Sequence, residues 1–450
     1  MHVVIVGMGY VGVPVAALFA DKPGIKVTGI QRRSKRSGWK IDLINKGKSP
    51  IGGDEPGLDQ LIFKTVKNGD LFVTDDITTY EKADAIIITV QTPVDEKHQP
   101  KYMSLRQVLK DIGQQMQPGT LICLESTVAP GTTDNVAKPI LEQESGLKAG
   151  TDFNLVFSYE RVMVGRLLHN LTNYSRIVGG FTPECAQRGI ELYENIVSAP
   201  LYATDTLTAE ISKVVENTYR DVNIAFANEV ALICESLSVD VHDVRRFVNS
   251  LPNDTSNPDA NPYRNMHTPG AGVGGHCLPK DPWLLKYGLD TYGKIKFTPE
   301  IIVKSRLLND SMPGHMKMLL IDALAERNLA LSESNVTMLG FAYLENSDDS
   351  RNTPALPLFN LLSGECKKIS IHDPHINEYE DLPITDDLVE ALRDSDCVIL
   401  VTKHKEYREL SLDQLHKYMR TPVIIDGRNV FNRHEALTHG FTFRGVGLPR

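Results

Sequence analysis

The sequence contains no CxxC pair, and its six cysteines, Cys123, Cys185, Cys234, Cys277, Cys366 and Cys397, follow no framework spacing. That pattern excludes a disulfide scaffold and a structural zinc site, so reduced thiols and no metal are expected. No basic block offsets the formal charge of −9, which excludes a nucleic-acid partner and leaves any anionic ligand to a local basic pocket. No apolar run approaches the roughly 18 to 20 residues that cross a bilayer, so the expectation is a cytoplasmic chain with no membrane partner. Low-complexity tracts are also missing. What remains is an ordinary globular composition over 450 residues, long enough for two or three domains with proper cores.

The opening MHVVIVGMGYVGVPVAALFA is apolar but has no basic leader, and glycines punctuate it at fixed intervals. It reads as structure rather than as a signal peptide. His2 to Val6 has the character of a buried strand, Gly7-x-Gly9-x-x-Gly12 follows, and the segment through Ala20 is helical. Strand, tight turn and helix in this order open a dinucleotide fold, in which the glycines let backbone N–H groups approach a pyrophosphate at the helix N-terminus. The same fingerprint predicts an acidic residue at the end of the second strand to hold the ribose hydroxyls of NAD. The strand Lys26 to Ile30 instead ends in Gln31-Arg32-Arg33-Ser34. Arginines suit a 2′-phosphate, so NAD and NADP both stay open; the alternative is that Arg32, Arg33, Lys35 and Arg36 form a solvated loop.

Further strand-like runs, Leu71 to Thr74, Ala85 to Val90, Gly119 to Glu125 and Phe153 to Ser158, alternate with helical ones. Alternation of this kind implies an α/β fold with a doubly wound parallel sheet, whose functional loops lie at the carboxyl ends of the strands. Two such ends are hydroxyl-rich, Thr89 to Pro93 and Glu125 to Thr133. A third, Ser158-Tyr159-Glu160-Arg161, offers Glu160 as an acid/base or, alternatively, as a surface carboxylate paired with Arg161. A long helix is predicted from about Thr206 to about Leu237. Glu210, Lys213, Asn217 and Asp221 share one of its faces, and Val222 to Ile233 is apolar on most sides and therefore expected to be buried. After Pro313 a second open α/β sheet is expected from Asn335 to Leu339, Lys368 to Ile371, Cys397 to Val401 and Val423 to Ile425. It lacks GxGxxG, and the polar loop Asn346 to Pro354 suits a different ligand.

One thiol is unlike the rest. In Gly272 to Trp283, GVGGHCLPKDPW, Cys277 follows two glycines and a histidine, with Lys280 and Asp281 within four residues. Gly274 and Gly275 are expected to leave room for a ligand at the sulfur. Lys280 and Asp281 set the charge around a thiol whose competent form is the thiolate.

These segments, with Pro50-Ile51, Glu55 to Leu58, Gln91-Thr92-Pro93, Ser126 to Thr133, Glu160-Arg161, Glu210 to Asn217 and Asp426 to Asn429, resemble the UDP-glucose/GDP-mannose dehydrogenase family almost end to end. The resemblance implies oxidation of the C6 alcohol of a nucleotide-bound sugar to a carboxylate, with two NAD reduced per turnover. Carried over by position, Cys277 is the nucleophile that forms a thiohemiacetal and then a thioester. Lys213 and Asn217 stabilise the C6 oxyanion, Asp281 and a water held by Thr127 handle protons, and Glu160 supports thioester hydrolysis. On the cofactor side the resemblance implies Gly7, Gly9, Tyr10, Val11, Gly12, Gln31, Arg32, Arg33, Thr92, Thr127 and Lys280. On the substrate side it implies Glu160, Arg161, Lys213, Asn217, Arg264, His267, Gly274, His276 and Arg351.

His276 before the cysteine, and Arg264 to His267, resemble the subgroup acting on UDP-N-acetylhexosamines, with UDP-N-acetylmannosamine or UDP-N-acetylglucosamine as substrate. Lys280 is the residue of the UDP-glucose branch, so UDP-glucose and GDP-mannose stand as alternatives, and a two-electron β-hydroxyacid dehydrogenase or a non-catalytic sensor of nucleotide sugars as more distant ones. Tyr159 and Leu344 depart from the family, which has proline and lysine at these places. The architecture implied is two Rossmann-like domains, residues 1–200 for the cofactor and 313–450 for the UDP-sugar. They are joined by a central helical segment, 201–312, that forms the core of a homodimer or larger homo-oligomer.

Overall fold

The computed structural model describes residues 1–35, 37–250 and 265–449; Arg36 and Arg264 lie outside the described residues. The chain divides into two compact units, Met1–Glu216 with Trp283–Thr298, and Asn217–Pro282 with Pro299–Arg450.

The first unit is built on eight strands: β1 (His2–Val6), β2 (Lys26–Ile30), β3 (Leu71–Thr74), β4 (Ala85–Ile88), β5 (Leu121–Leu124), β6 (Asn154–Phe157), β7 (Arg176–Gly180) and β8 (Leu201–Asp205). Their order is β3-β2-β1-β4-β5-β6-β7-β8. Every neighbouring pair is parallel except β6 with β7, which is antiparallel. Alternate residues of the central strands face opposite sides of the sheet. Val3 and Ile5 with Ile87 and Cys123 fill one core, while Val4 and Val6 with Ile86, Ile88 and Ile122 fill another. Burial on both faces explains why these strands read as unbroken apolar runs rather than as alternating ones.

The second unit carries six parallel strands: β9 (Asn335–Leu339), β10 (Lys368–His372), β11 (Ile384–Thr385), β12 (Cys397–Leu400), β13 (Val423–Asp426) and β14 (Thr442–Gly445), in the order β11-β10-β9-β12-β13-β14. The same two-sided burial recurs, with Cys397 and Ile399 on one face of β12 and Val398 and Leu400 on the other. In both sheets the strand order reverses beside the first strand, at β1/β4 and at β9/β12. Crevices for ligands form at such points.

A helix over Thr206–Ser236 contains the boundary between the units, and a second long helix, Glu300–Glu326, accommodates Pro313. The polar stripe of the first is buried, with Glu210 and Asp221 at 0% exposure. This helix departs from expectation in one respect. Its apolar stretch is not buried all round: Phe226 and Ile233 are 56% and 52% exposed and, with Tyr219 and Leu237, form an open apolar face. The reason is geometric, since side chains at these spacings lie on one side of a helix while the core takes the other. No helix among the described residues is long and apolar enough to cross a membrane.

Candidate active site

The first unit presents a glycine turn at the carboxyl end of β1. Gly7 has φ +103°, a left-handed value that glycine adopts without strain, and its N–H donates to the Ile30 carbonyl at 2.9 Å. A Cβ on Gly12 would meet the Gly7 carbonyl oxygen at 1.9 Å, so a side chain there would fill the cradle. Thr89, at the end of β4, locks the turn by donating through Oγ1 to the Gly7 carbonyl at 2.7 Å. The helix Gly12–Ala20 starts at the turn and directs its free N–H groups toward it. Glycine cradle and helix N-terminus together fit the pyrophosphate of a dinucleotide. Tyr10 and Val11 stand half-buried in this turn.

Gln31 takes the position of the missing acidic residue. It accepts from the Met8 N–H through Oε1 at 3.1 Å and donates to Ser37 Oγ at 3.1 Å, which ties the second strand to the glycine turn. Arg32 is exposed, and Arg33 lies 3.4 Å from Asp75. The hydroxyl-rich strand ends are clipped to one another: Thr92 Oγ1 donates to the Thr127 carbonyl and Ser126 Oγ to the Val90 carbonyl.

Two further anchors hold the first unit's polar loops. Buried Glu210 accepts from Gly131 N at 2.6 Å, Thr133 N at 2.7 Å and Thr133 Oγ1 at 2.6 Å. Burial outweighs these donors and pushes its carboxyl up to about 7. After β6, Glu160 does not pair with Arg161. Its Oε1 lies 3.3 Å from Lys213 Nζ, which also donates to the Glu160 carbonyl at 2.7 Å, while Arg161 Nε pairs with Glu216 at 3.1 Å. Lys213 is 6% exposed.

In the second unit, the Cys277 carbonyl accepts from Lys280 N at 3.1 Å and Asp281 N at 3.0 Å. This turn feeds the helix Asp281–Tyr292 and leaves the Cys277 thiol half-buried. The other cysteine of this kind is Cys366, whereas Cys123, Cys185, Cys234 and Cys397 are buried. The Asp281 carboxylate is fully buried between two donors, Lys280 Nζ at 2.7 Å and Asn217 Nδ2 at 2.6 Å. Asn217 is therefore committed to Asp281, and Lys280 serves as the counter-ion of its sequence neighbour.

The two glycines before the cysteine stand against a neighbouring loop. A Cβ on Gly274 would meet Tyr343 Cβ at 2.5 Å and the Asn352 carbonyl at 2.9 Å, and one on Gly275 would meet the Tyr343 ring at 2.9 Å. What they admit is the loop after β9. That loop grips the cysteine turn through Gly275 N to the Arg351 carbonyl at 2.9 Å and Asn352 Nδ2 to the Gly275 carbonyl at 3.0 Å. Arg351 is itself held by Asp349 in a two-pronged pair. Burial, reinforced by Lys280 and Arg351, pulls His276 down to about 4, so the ring is neutral near pH 7. His267 is lowered by burial beside Arg220 and Arg245.

A buried polar chain supports this turn: Asp221 with Arg306, Asn309 Nδ2 to Asp221 Oδ1 at 3.0 Å, Asn228 Nδ2 to Asn309 Oδ1 at 2.9 Å, and Gly270 N to Asn228 Oδ1 at 3.0 Å.

Two features of the second unit were not legible in the sequence. A cavity of about 470 Å³ is lined by His242, Arg245, Lys403, Arg408, Arg428 and Asn429, drawn from segments far apart in the chain. Burial pulls Arg428 down to about 10, which leaves it cationic at neutral pH. Elsewhere His375, His404 and Glu406 bring ligand-type atoms within 4.8 Å of one another. Both ring nitrogens of His404 are engaged there, Nε2 with Asp373 at 3.2 Å and Nδ1 with Asn346 N at 2.9 Å.

Comparison with known proteins agrees with this geometry. Residues 1–197 match the NAD binding domain of the UDP-glucose/GDP-mannose dehydrogenase family, 207–311 its central domain and 337–433 its UDP binding domain. UDP-N-acetyl-D-mannosamine dehydrogenase of Pyrococcus horikoshii is 35% identical over 99% of both chains, and that of Campylobacter jejuni 34% identical over 92% of this chain and 98% of its own. Among solved structures, NDP-N-acetyl-D-galactosaminuronic acid dehydrogenase from Methanosarcina mazei superposes with a TM-score of 0.89 at 41% identity, covering 99% of this chain and 95% of that one. The Pyrococcus enzyme superposes at 0.88 and 35%, covering 99% of each. Residues 1–197 thus form an NAD binding domain, and the chain belongs to the UDP-glucose/GDP-mannose dehydrogenase family.

Proposed function

We propose that this chain oxidises the C6 alcohol of UDP-N-acetyl-D-mannosamine to the uronate, delivering four electrons to two NAD. The observation that carries the reading is the Cys277 turn: a half-buried thiol whose own carbonyl caps the helix bearing Asp281, with Asp281 clamped by Lys280 and Asn217. Relatives named for this substrate, at 30–35% identity over nearly the whole chain, support the choice of sugar.

Each oxidation step removes a hydride, which NAD accepts when bound, and a proton. An alcohol oxidised once is an aldehyde, and reaching the acid without releasing it requires a covalent partner. Cys277 Sγ adds to the aldehyde carbon to give a thiohemiacetal, loss of the second hydride leaves a thioester, and water releases the carboxylate and regenerates the thiol. Lys213, a buried ammonium with Glu160 as its counter-ion, offsets the negative charge that develops on the C6 oxygen. Glu160 assists the attacking water as acid/base. Asp281 handles protons, held in one orientation by its two donors, and Thr127 positions a water. The cationic cavity fits the diphosphate of the substrate, with half-buried Arg428 among its charges.

The open face of Tyr219, Phe226, Ile233 and Leu237 supports assembly with a second copy, because a contiguous apolar helix face needs a partner. A cytoplasmic setting follows from the reading, since NAD is supplied there.

A second sugar has an observation in its favour: the 41% identical structure is named for an N-acetyl-D-galactosaminuronic acid product. Reduced cofactor is to be counted per sugar for NAD with UDP-N-acetylmannosamine, UDP-N-acetylgalactosamine, UDP-N-acetylglucosamine, UDP-glucose and GDP-mannose. Two NADH per UDP-N-acetylmannosamine, abolished by Cys277→Ser, is the expected result. One NADH per sugar would remove the covalent role of Cys277, and a preference for the galactosamine compound would replace the epimer.

A further inference from the structure

Tyr159 stands directly before Glu160 in the loop after β6 and is 2% exposed. The Lys213 ammonium lies 5.3 Å from the centre of its ring, and the guanidinium carbon of Arg161 lies 5.5 Å from the same centre. Arg161 Nη2 also donates to the phenol oxygen at 3.3 Å. Phe157, at the end of β6, meets the ring at a tilt, with centroids 6.3 Å apart. Residues 159–161 therefore grip the helix that carries Lys213 in two places, through Glu160 to Lys213 and through Arg161 to Glu216, with one aromatic ring against both cations.

The electron-rich face of a phenol ring attracts a cation, and the attraction grows as water is excluded. Unlike a carboxylate, the face does this without taking an N–H donor, so it fixes where the ammonium sits while Glu160 supplies the hydrogen bonds. A buried ammonium without such surroundings is costly to desolvate. Proline, which the family resemblance puts at this position, has no aromatic face and could not make these contacts.

We propose that Tyr159 is a positioning residue for Lys213, its ring holding the ammonium beside Glu160 at the place where the C6 oxyanion develops. The inference rests on the role given to Lys213 above. An interaction that improves only the placement of a charge at the transition state changes kcat and leaves KM unchanged, whereas one that shapes the pocket raises KM.

The test compares Tyr159→Phe, Tyr159→Leu, Tyr159→Met and Lys213→Met with the wild-type enzyme, by steady-state kinetics on NAD and UDP-N-acetylmannosamine and by thermal unfolding. Tyr159→Phe keeps the ring and is expected to retain wild-type kcat. Tyr159→Leu and Tyr159→Met remove the aromatic face and are expected to lower kcat by about tenfold with both KM values unchanged. The methionine variant fills much of the same volume and carries the test where leucine fails to fold. Wild-type kcat in both aliphatic variants, with Lys213→Met inactive, overturns the inference and leaves the role of Lys213 standing. Equal losses in the phenylalanine and aliphatic variants also overturn it, because the ring face would then not be the cause. Full activity of Lys213→Met overturns the underlying reading and this inference with it.

Discussion

Glu210 and His276 titrate in opposite senses, and the difference can be measured one residue at a time. Burial raises the native Glu210 carboxyl from 4.5 to about 7. Between those values the native chain binds more protons than the unfolded one, so this residue's contribution to stability falls as pH rises through the window. Burial lowers native His276 from 6.5 to about 4. There the unfolded chain binds more protons, so its contribution is complete above pH 6.5 and is lost as pH falls toward 4. The two slopes oppose each other over pH 4.5 to 6.5. Glu210→Gln is expected to make the unfolding midpoint climb more steeply with pH across that interval than in the wild type, and His276→Asn to make it climb less. Urea melts at several pH values check both, and parallel curves for all three proteins would refute the assignments. The same scale explains what the sequence could and could not reveal. Gly7, Gly12, Cys277, Lys213 and Glu160 stand out in the sequence because their types are chemically distinctive at those spacings. That Gly274 and Gly275 also admit Tyr343 and the Asn352 carbonyl was hidden because the crowding atoms come from a loop about 70 residues away.

At the scale of elements, the helix Thr206–Ser236 was readable almost to the residue, since 31 positions without glycine or proline hold one continuous period. Strands β1, β2, β3 and β9 were readable for a related reason, each being a compact apolar run. Strands β7, with its two glycines, and β11, only two residues long, carry too little apolar signal to be found that way. The antiparallel pairing of β6 with β7 is set by tertiary contacts that no local pattern encodes. The same holds for the buried charges of the long helices. Asp221 and Arg306 are 85 positions apart and both have fully buried side chains, so neither could be told from a surface charge by sequence. Breaking such a pair leaves one buried charge unmatched. Arg306→Met is expected to destabilise the protein by about 3–5 kcal/mol in urea denaturation, and adding Asp221→Asn to recover part of that loss. A double variant no better than the single one would mean that the charges are not coupled. The exposed face of the first helix gives a prediction of a different kind. Phe226→Glu with Ile233→Glu places two charges on it, and solution mass measurement is expected to show an oligomer for the wild type and a monomer for the variant. An unchanged mass would mean that copies meet elsewhere.

For the whole molecule, the division of labour between two α/β units is itself testable, because a ligand stabilises the protein only through the site that binds it. Saturating ligand at about 100 times its dissociation constant raises the unfolding free energy by about 2.7 kcal/mol, which thermal melts resolve. NAD and UDP, added separately, are each expected to raise the unfolding temperature of the wild-type chain. Gly12→Ala sets a Cβ 1.9 Å from the Gly7 carbonyl oxygen and closes the turn, so the shift with NAD is expected to vanish while the shift with UDP persists. Arg428→Met removes one cation from the lining of the 470 Å³ cavity and is expected to do the reverse. Each variant is compared with itself with and without ligand, so loss of intrinsic stability does not obscure the result. Loss of the UDP shift in Gly12→Ala, with the NAD shift retained, would exchange the two assignments. Loss of neither shift in Arg428→Met would take the nucleotide sugar out of the cationic cavity.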